Sequence, residues 1–153
     1  MAIAEKLKLP VATSLNAKAA ILDSNPLSVG VVGVYSRDCA NKAVAEADLV
    51  FFIGSHTGGQ VTVSWKIPAP GTQVIQLDID AEELGRNYPN AVSLIGDAKV
   101  TLRQLINAAG KPSSGANAWL GRVQQLVAEW RAVAEPLMKS AAMPMRPERV
   151  CRE

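Results

Sequence analysis

The chain has 153 residues, enough for one domain and a tail, and 48% of them are hydrophobic, enough to bury a core. Its net charge of +2 comes from scattered lysines and arginines with no basic stripe, which argues against a nucleic-acid partner. No apolar run approaches the ~20 residues of a membrane span, and Met1 to Pro10 carries lysines and a glutamate where a signal peptide has its apolar centre, so no membrane or secretory role is expected.

Ala2 to Lys8 reads as the end of a helix, with Ile3 and Leu7 on one face, and Pro10–Ser14 as a short strand. A parallel α/β domain begins with a strand that feeds its first helix, so an opening inside a helix predicts that a first strand–helix piece is missing. Leu15 to Gly33 reads as a long connection, with a turn at Asn25-Pro26 and close backbone approach permitted at Gly30 and Gly33. Ala40, Ala43, Val44 and Ala47 form the apolar stripe of a helix over Asp38–Ala47.

Two pivotal strands follow, Asp48–Gly54 and Gln73–Asp80. Each is a short apolar run without polar alternation until its last residues, which predicts strands covered on both faces by helices. Between them Gly58–Gly71, with Pro68, Pro70 and three glycines, is a loop long enough to be functional or disordered. Asp80 stands where it caps a short helix at Ala81-Glu82-Glu83-Leu84, Val92–Ile95 reads as the last strand, and Asp97 caps a helix over Ala98–Ala109. Gly110–Gly115 is a linker. Trp119, Leu120, Val123, Leu126, Val127, Trp130, Val133 and Leu137 recur at helical spacing over Asn117–Ser140, so both tryptophans read as packing residues. The tail, Ala141–Glu153, reads as extended. The pattern is that of an α/β domain with an open, mostly parallel sheet.

Such sheets bind ligands at the carboxyl ends of their strands. Gly54-Ser55-His56-Thr57-Gly58-Gly59 follows the first pivotal strand, and backbone N–H groups in a glycine-rich turn can cradle a phosphate. It matches neither common glycine-rich phosphate signature, and an ordinary surface turn is the alternative. Asp78 and Asp80 flank Ile79, and the period of two sends both carboxylates to one face. One can accept from a ribose hydroxyl, or the two can hold a divalent cation; alternatively Asp80 only caps and Asp78 is solvated. His56, the one histidine, has no partner at zinc-ligand spacing, and nothing brings it to Cys39. Cys39 and Cys151 stand far apart, which fits free thiols in a cytoplasmic protein. No residue is assigned a catalytic or metal-ligating role.

In order along the chain, Leu9-Pro10-Val11-Ala12-Thr13-Ser14, Asn25-Pro26-Leu27-Ser28-Val29-Gly30-Val31-Val32-Gly33, Ala47-Asp48-Leu49-Val50 with Ile53-Gly54-Ser55, Val74 to Asp80, and Ile95-Gly96-Asp97-Ala98 resemble the central domain of thiamine-diphosphate-dependent enzymes of the acetolactate synthase type. The resemblance covers about Ala2 to Ala109. It implies a Rossmann-like, open, mostly parallel sheet with helices on both faces over residues 1–110, with the first strand missing. Residues 111–153 would be a linker helix and the start of a truncated following domain.

The resemblance further implies a parent enzyme that decarboxylates or joins 2-oxo acids with thiamine diphosphate and Mg2+. Both would be held by the adjacent domains, or by other subunits of a homo-oligomer, and not by this chain, which alone would not turn over substrate. Gly96-Asp97-Ala98 invites comparison with the start of the thiamine-diphosphate motif, but Trp119–Val127 has no asparagine pair to complete it, so Asp97 reads as a cap. In the family the central domain is a scaffold that in some members also binds FAD or ADP. Carried over by matched motif, nucleotide contacts fall on Gly30, Gly33, Gly54, Ser55, His56, Asp78, Asp80, Asp97 and Ala98. FAD-binding members have an arginine where His56 stands, which removes a donor fork. Ala17-Lys18-Ala19 replaces a Gly-Lys-Gly, and the absent first strand would leave a gap in the sheet with an unpaired edge on either side. A stand-alone nucleotide-binding module and a structural domain without ligand are the alternatives.

Overall fold

A computed structural model describes residues 1–150. In chain order it runs α1 (Ala2–Leu7), β1 (Val11–Thr13), β2 (Ser28–Val31), α2 (Asp38–Glu46), β3 (Leu49–Ile53), β4 (Gln73–Asp78), a 3-10 turn (Ala81–Glu83), β5 (Val92–Ile95), α3 (Ala98–Ala108), α4 (Ala116–Met138) and α5 (Pro147–Val150). Every strand pairing is parallel. The strands form two separate sheets, β1-β2 and β3-β4-β5. The expected open parallel sheet is thus present in halves, interrupted between β1 and β3.

β2 lies where the sequence reads as connection. Gly30 interrupts its apolar run and takes φ +97°, a left-handed geometry natural to glycine, and the register skips a residue between Val11 and Ala12. This bulge blurs the period that marks a strand. A Cβ on Gly30 would also come within 2.6 Å of the Arg37 Cδ. The end of the tail, read as extended, instead turns helical at Pro147–Val150; Cys151 and the two residues after it lie outside the described residues.

β4 has a neighbour on each side and buries Val74, Gln76, Leu77 and Asp78. β3 is less covered than its unbroken apolar run predicts: Leu49 and Ile53, which share one face, are both exposed, so that face is not sealed at the strand's two ends. The main core lies in the other half. α2 presents Cys39, Ala40 and Ala43, all small, so α4 approaches closely and seats Val123 and Leu126 against them and against Val29 of β2. Burial pushes the Cys39 thiol above its ordinary pKa. Arg122 of α4 forks onto Glu46 with bonds of 2.8 and 2.7 Å, and the Arg37 guanidinium lies 4.7 Å from the centre of the Trp130 ring while pairing with Asp23.

Two hydrogen bonds connect the elements of one sheet to those of the other. The Val34 N–H donates to the Gln60 carbonyl at 2.8 Å, and Lys6 of α1 donates to the Ile106 carbonyl of α3 at 2.7 Å. Asp80 and Asp97 act as caps as predicted, accepting from the N–H groups of Glu82 and Val100 at 2.9 Å each. No described helix is long and apolar enough to cross a membrane.

Leu126 is 3% exposed at the α2–α4 contact and Val133, on the same helix, is 69% exposed. Leu126→Ala is expected to lower the unfolding free energy by about 2–4 kcal/mol, and Val133→Ala to change it by less than about 0.5 kcal/mol, both read from urea denaturation.

Candidate nucleotide-binding site

β3 ends at Gly54, whose N–H donates to the Leu77 carbonyl at 2.8 Å and whose φ of +58° turns the chain sharply off the sheet. Ser55 Oγ accepts from the Thr57 N–H at 3.2 Å, folding the turn on itself. Thr57 is buried at a φ of +48°, and Asn87 Nδ2 clamps the turn by donating to the His56 carbonyl at 2.9 Å and to Thr57 Oγ1 at 3.2 Å. The following loop is ordered by its own bonds. Thr62, fully buried, donates its hydroxyl to the Gly58 carbonyl at 3.0 Å and accepts the Trp65 N–H at 3.1 Å. Tyr88 donates to the Ile67 carbonyl at 2.8 Å, and burial pushes its phenol above the usual pKa.

The turn borders an open cavity of ≈ 460 Å³ lined by Ser14 and Asn16 beyond β1 and by Gly54, Ser55, His56, Gly58, Gly59, Gln60 and Val61 beyond β3. This size is ordinary for a small-molecule site. Within the described residues the backbone N–H groups of Ser55, His56, Gly58, Gly59 and Gln60 meet no acceptor. A cavity edged by free amide donors suits an anion such as a phosphate.

The residues singled out in the sequence fall into three places. Gly54, Ser55 and His56 line the cavity, and Gly33 stands behind it. The Gly33 N–H and carbonyl are both held by Asn41, at 2.8 and 3.0 Å. Its φ is +114°, and a Cβ there would overlap the Gln60 carbonyl, so glycine is what lets β2 reach this turn. Asp78, Asp80, Asp97 and Ala98 gather at the ends of β4 and β5, where the Gly96 N–H donates to the Asp78 carbonyl at 2.9 Å. Gly30 belongs to neither group and packs under Arg37.

The two aspartates do not share an environment as period two predicts, because β4 ends at Asp78. Asp80 is exposed and caps the 3-10 turn. Asp78 is 7% exposed, not solvated; its Oδ1 accepts from the Asp80 N–H at 3.1 Å, and its Oδ2 is buried without a partner. Among the described residues no three His, Cys, Asp or Glu side chains converge as a metal site.

Two residues that sequence reasoning missed connect the cavity turn to β4. Gln76, 1% exposed, donates through Nε2 to the Ser55 carbonyl at 3.2 Å and to the Glu83 carbonyl at 2.9 Å, and accepts from the Gly85 N–H at 3.0 Å. Glu83, 5% exposed, holds Arg86 at 2.7 Å and lies 3.5 Å from His56 Nδ1, with its other oxygen unpartnered. For Gln76 the signal was available: it is a polar residue inside the apolar run Val74-Ile75-Gln76-Leu77. Glu83 gave none, because Ala81–Leu84 reads only as a short capped helix, where acidic residues in the first turn are ordinary.

These features define a parallel α/β domain whose candidate site lies beyond the carboxyl ends of β1 and β3. Residues 1–105 match the family described as "Thiamine pyrophosphate enzyme, central domain". The chain belongs to that family. It is 32% identical over 99% of its length to a probable acetolactate synthase large subunit of Methanocaldococcus jannaschii, covering 25% of that protein. It is also 32% identical over 84% of its length to the acetolactate synthase large subunit of Cyanidium caldarium, covering 23%, and 30% identical over 84% to that of Haemophilus influenzae, covering 22%. The chain thus spans about a quarter of the length of the curated relatives it matches.

Gln76→Leu removes the group that satisfies two carbonyls and one N–H at the core of the turn. It is expected to lower the unfolding free energy by about 2–4 kcal/mol and to loosen the turn, seen as faster proteolysis within residues 55–61.

Proposed function

We propose that the chain works as the central, scaffolding domain of an acetolactate-synthase-like enzyme that decarboxylates or joins 2-oxo acids, and that it carries a nucleotide site of its own. The family and the names of its relatives support the first part. Thiamine diphosphate, when bound, supplies the electron sink for that chemistry. Among the described residues no three His, Cys, Asp or Glu side chains gather as a cation site, and on this reading thiamine diphosphate and Mg2+ are held by adjacent domains or by other subunits of a homo-oligomer. A cytoplasmic location accords with a buried, free Cys39.

The nucleotide reading rests on one observation above the others: a row of unpartnered backbone N–H groups around the cavity between β1 and β3. These donors suit the phosphates of ADP or FAD. Asp78, at the end of β4, does not line that cavity and its unpartnered Oδ2 is buried, so on this reading the turn and not the aspartate carries the contact. His56, exposed beside Glu83, offers a single donor toward the same anion.

Thermal unfolding with added ligand tests this. ADP and FAD are expected to raise the midpoint, by about 2.7 kcal/mol of stability at a hundred times the dissociation constant, and thiamine diphosphate with Mg2+ to leave it in place. No shift with either nucleotide would remove the site and leave the scaffold alone. A shift with thiamine diphosphate would overturn the division of labour between domains.

A further inference from the structure

A second cavity, of ≈ 200 Å³, opens between α4, the segment before β2 and the start of α2, and it shares no residue with the one beyond β3. Trp130, Ala134 and Met138 of α4 give it an apolar wall, and Asp23, Arg37 and Arg131 supply charge. It has room for a small molecule and is below the usual size of a cofactor pocket.

The two arginines converge on one residue. Arg37 Nη2 donates to the Asp23 carboxylate, and Arg131 Nη2 donates to the Asp23 backbone carbonyl at 3.2 Å. Two guanidinium groups thus stand about a single carboxylate, and Arg37 already pairs with it. Glu135, the other acid at the cavity, pairs with Lys139 at 3.3 Å. Arg131 has no ion-pair partner among the described residues. Three cations against two acids leave one positive charge in excess.

α2 itself gives no reason for an arginine at position 37. Arg37 is the N-cap of that helix, where serine, threonine, aspartate or asparagine would satisfy an orphan N–H, and its side chain makes no cap bond. The positive end of the helix dipole also disfavours a cation there. Yet the side chain is closely seated. A Cβ on residue 30 would lie 2.6 Å from the Arg37 Cδ, so Gly30 makes its room, and the guanidinium lies over the Trp130 ring, 4.7 Å from its centre. Held in this way, its Nε and Nη1 meet no acceptor among the described residues.

We infer that this cavity binds a small organic carboxylate with an apolar body. Arg131 and the free donors of Arg37 hold the carboxylate, whose two oxygens match the fork of a guanidinium. The body lies against Trp130, Ala134 and Met138. A bare inorganic anion leaves that wall wet, and a neutral isostere leaves the excess charge unmatched. An amine finds no free acid, because Asp23 and Glu135 are both paired. The site is independent of the nucleotide reading.

Side-chain resonances of the isotopically labelled 153-residue chain test this. Phenylacetate is titrated at constant ionic strength, with phenylacetamide and sulfate as controls, and the Trp130 indole N–H is assigned with Trp130→Phe. Phenylacetate should move that signal and the Nε–H signals of Arg37 and Arg131 together, saturating with one constant. Each control should bind about tenfold or more weakly by comparison. Arg131→Met keeps the stem and removes the charge. It should weaken phenylacetate about tenfold or more and leave the urea unfolding midpoint of the free chain in place. Equal binding of phenylacetamide would overturn the inference by reducing the cavity to an apolar cleft, and equal binding of sulfate by reducing it to a general anion site. Unchanged affinity in Arg131→Met, or signals that stay still with phenylacetate, would overturn it as well.

Discussion

Backbone hydrogen bonding along one strand orders this structure. Among the described strands only β4 has a ladder on both sides, and burial follows that pairing: its apolar residues are covered, while β3 beside it still exposes both of its ends. A polar residue can sit in such a strand only if its groups are satisfied. Gln76 meets that condition by bonding to the Ser55 and Glu83 carbonyls and to the Gly85 N–H. The same bonds fix the turn that borders the cavity, so the site inherits its shape from the one fully paired strand.

The rest of the fold keeps two half-sheets aligned across a gap. α4 lies on the small-residue face of α2 and seals the β1-β2 half. The contacts Val34–Gln60 and Lys6–Ile106 bridge to the other half. Neither bridge is a strand pairing, so the ends of β1 and β3 stay apart and the cavity between them stays open. Open α/β sheets bind ligands at such a break in strand order. Here the break is also where backbone donors at the sheet edge and in the turn lack partners.

Much of this was legible in the sequence. The apolar run of β3, the stripes of α2 and α4, and the caps Asp80 and Asp97 all follow from local periodicity and side-chain chemistry, and the motif order pointed to the family. What was not legible depended on tertiary contact. β2 hid because Gly30 breaks its run, and that glycine is required by a bulge and by the Arg37 side chain packed over it. Asp78 and Asp80 looked equivalent at period two, yet the strand stops between them, leaving one carboxylate buried and the other at a helical cap. Gln76 and Glu83 acquire their roles only from groups distant in sequence or hidden by a turn.

The central claim is that the free amides beyond β3 form an anion site at the break in the sheet. A titration of the isotopically labelled chain with ADP, followed by amide resonances, tests it most directly. The account predicts that the signals of Ser55, His56, Gly58, Gly59 and Gln60 move together and saturate with one constant, while those of the α2–α4 contact stay in place. Absent shifts in that turn, or shifts that centre elsewhere in the chain, would contradict it.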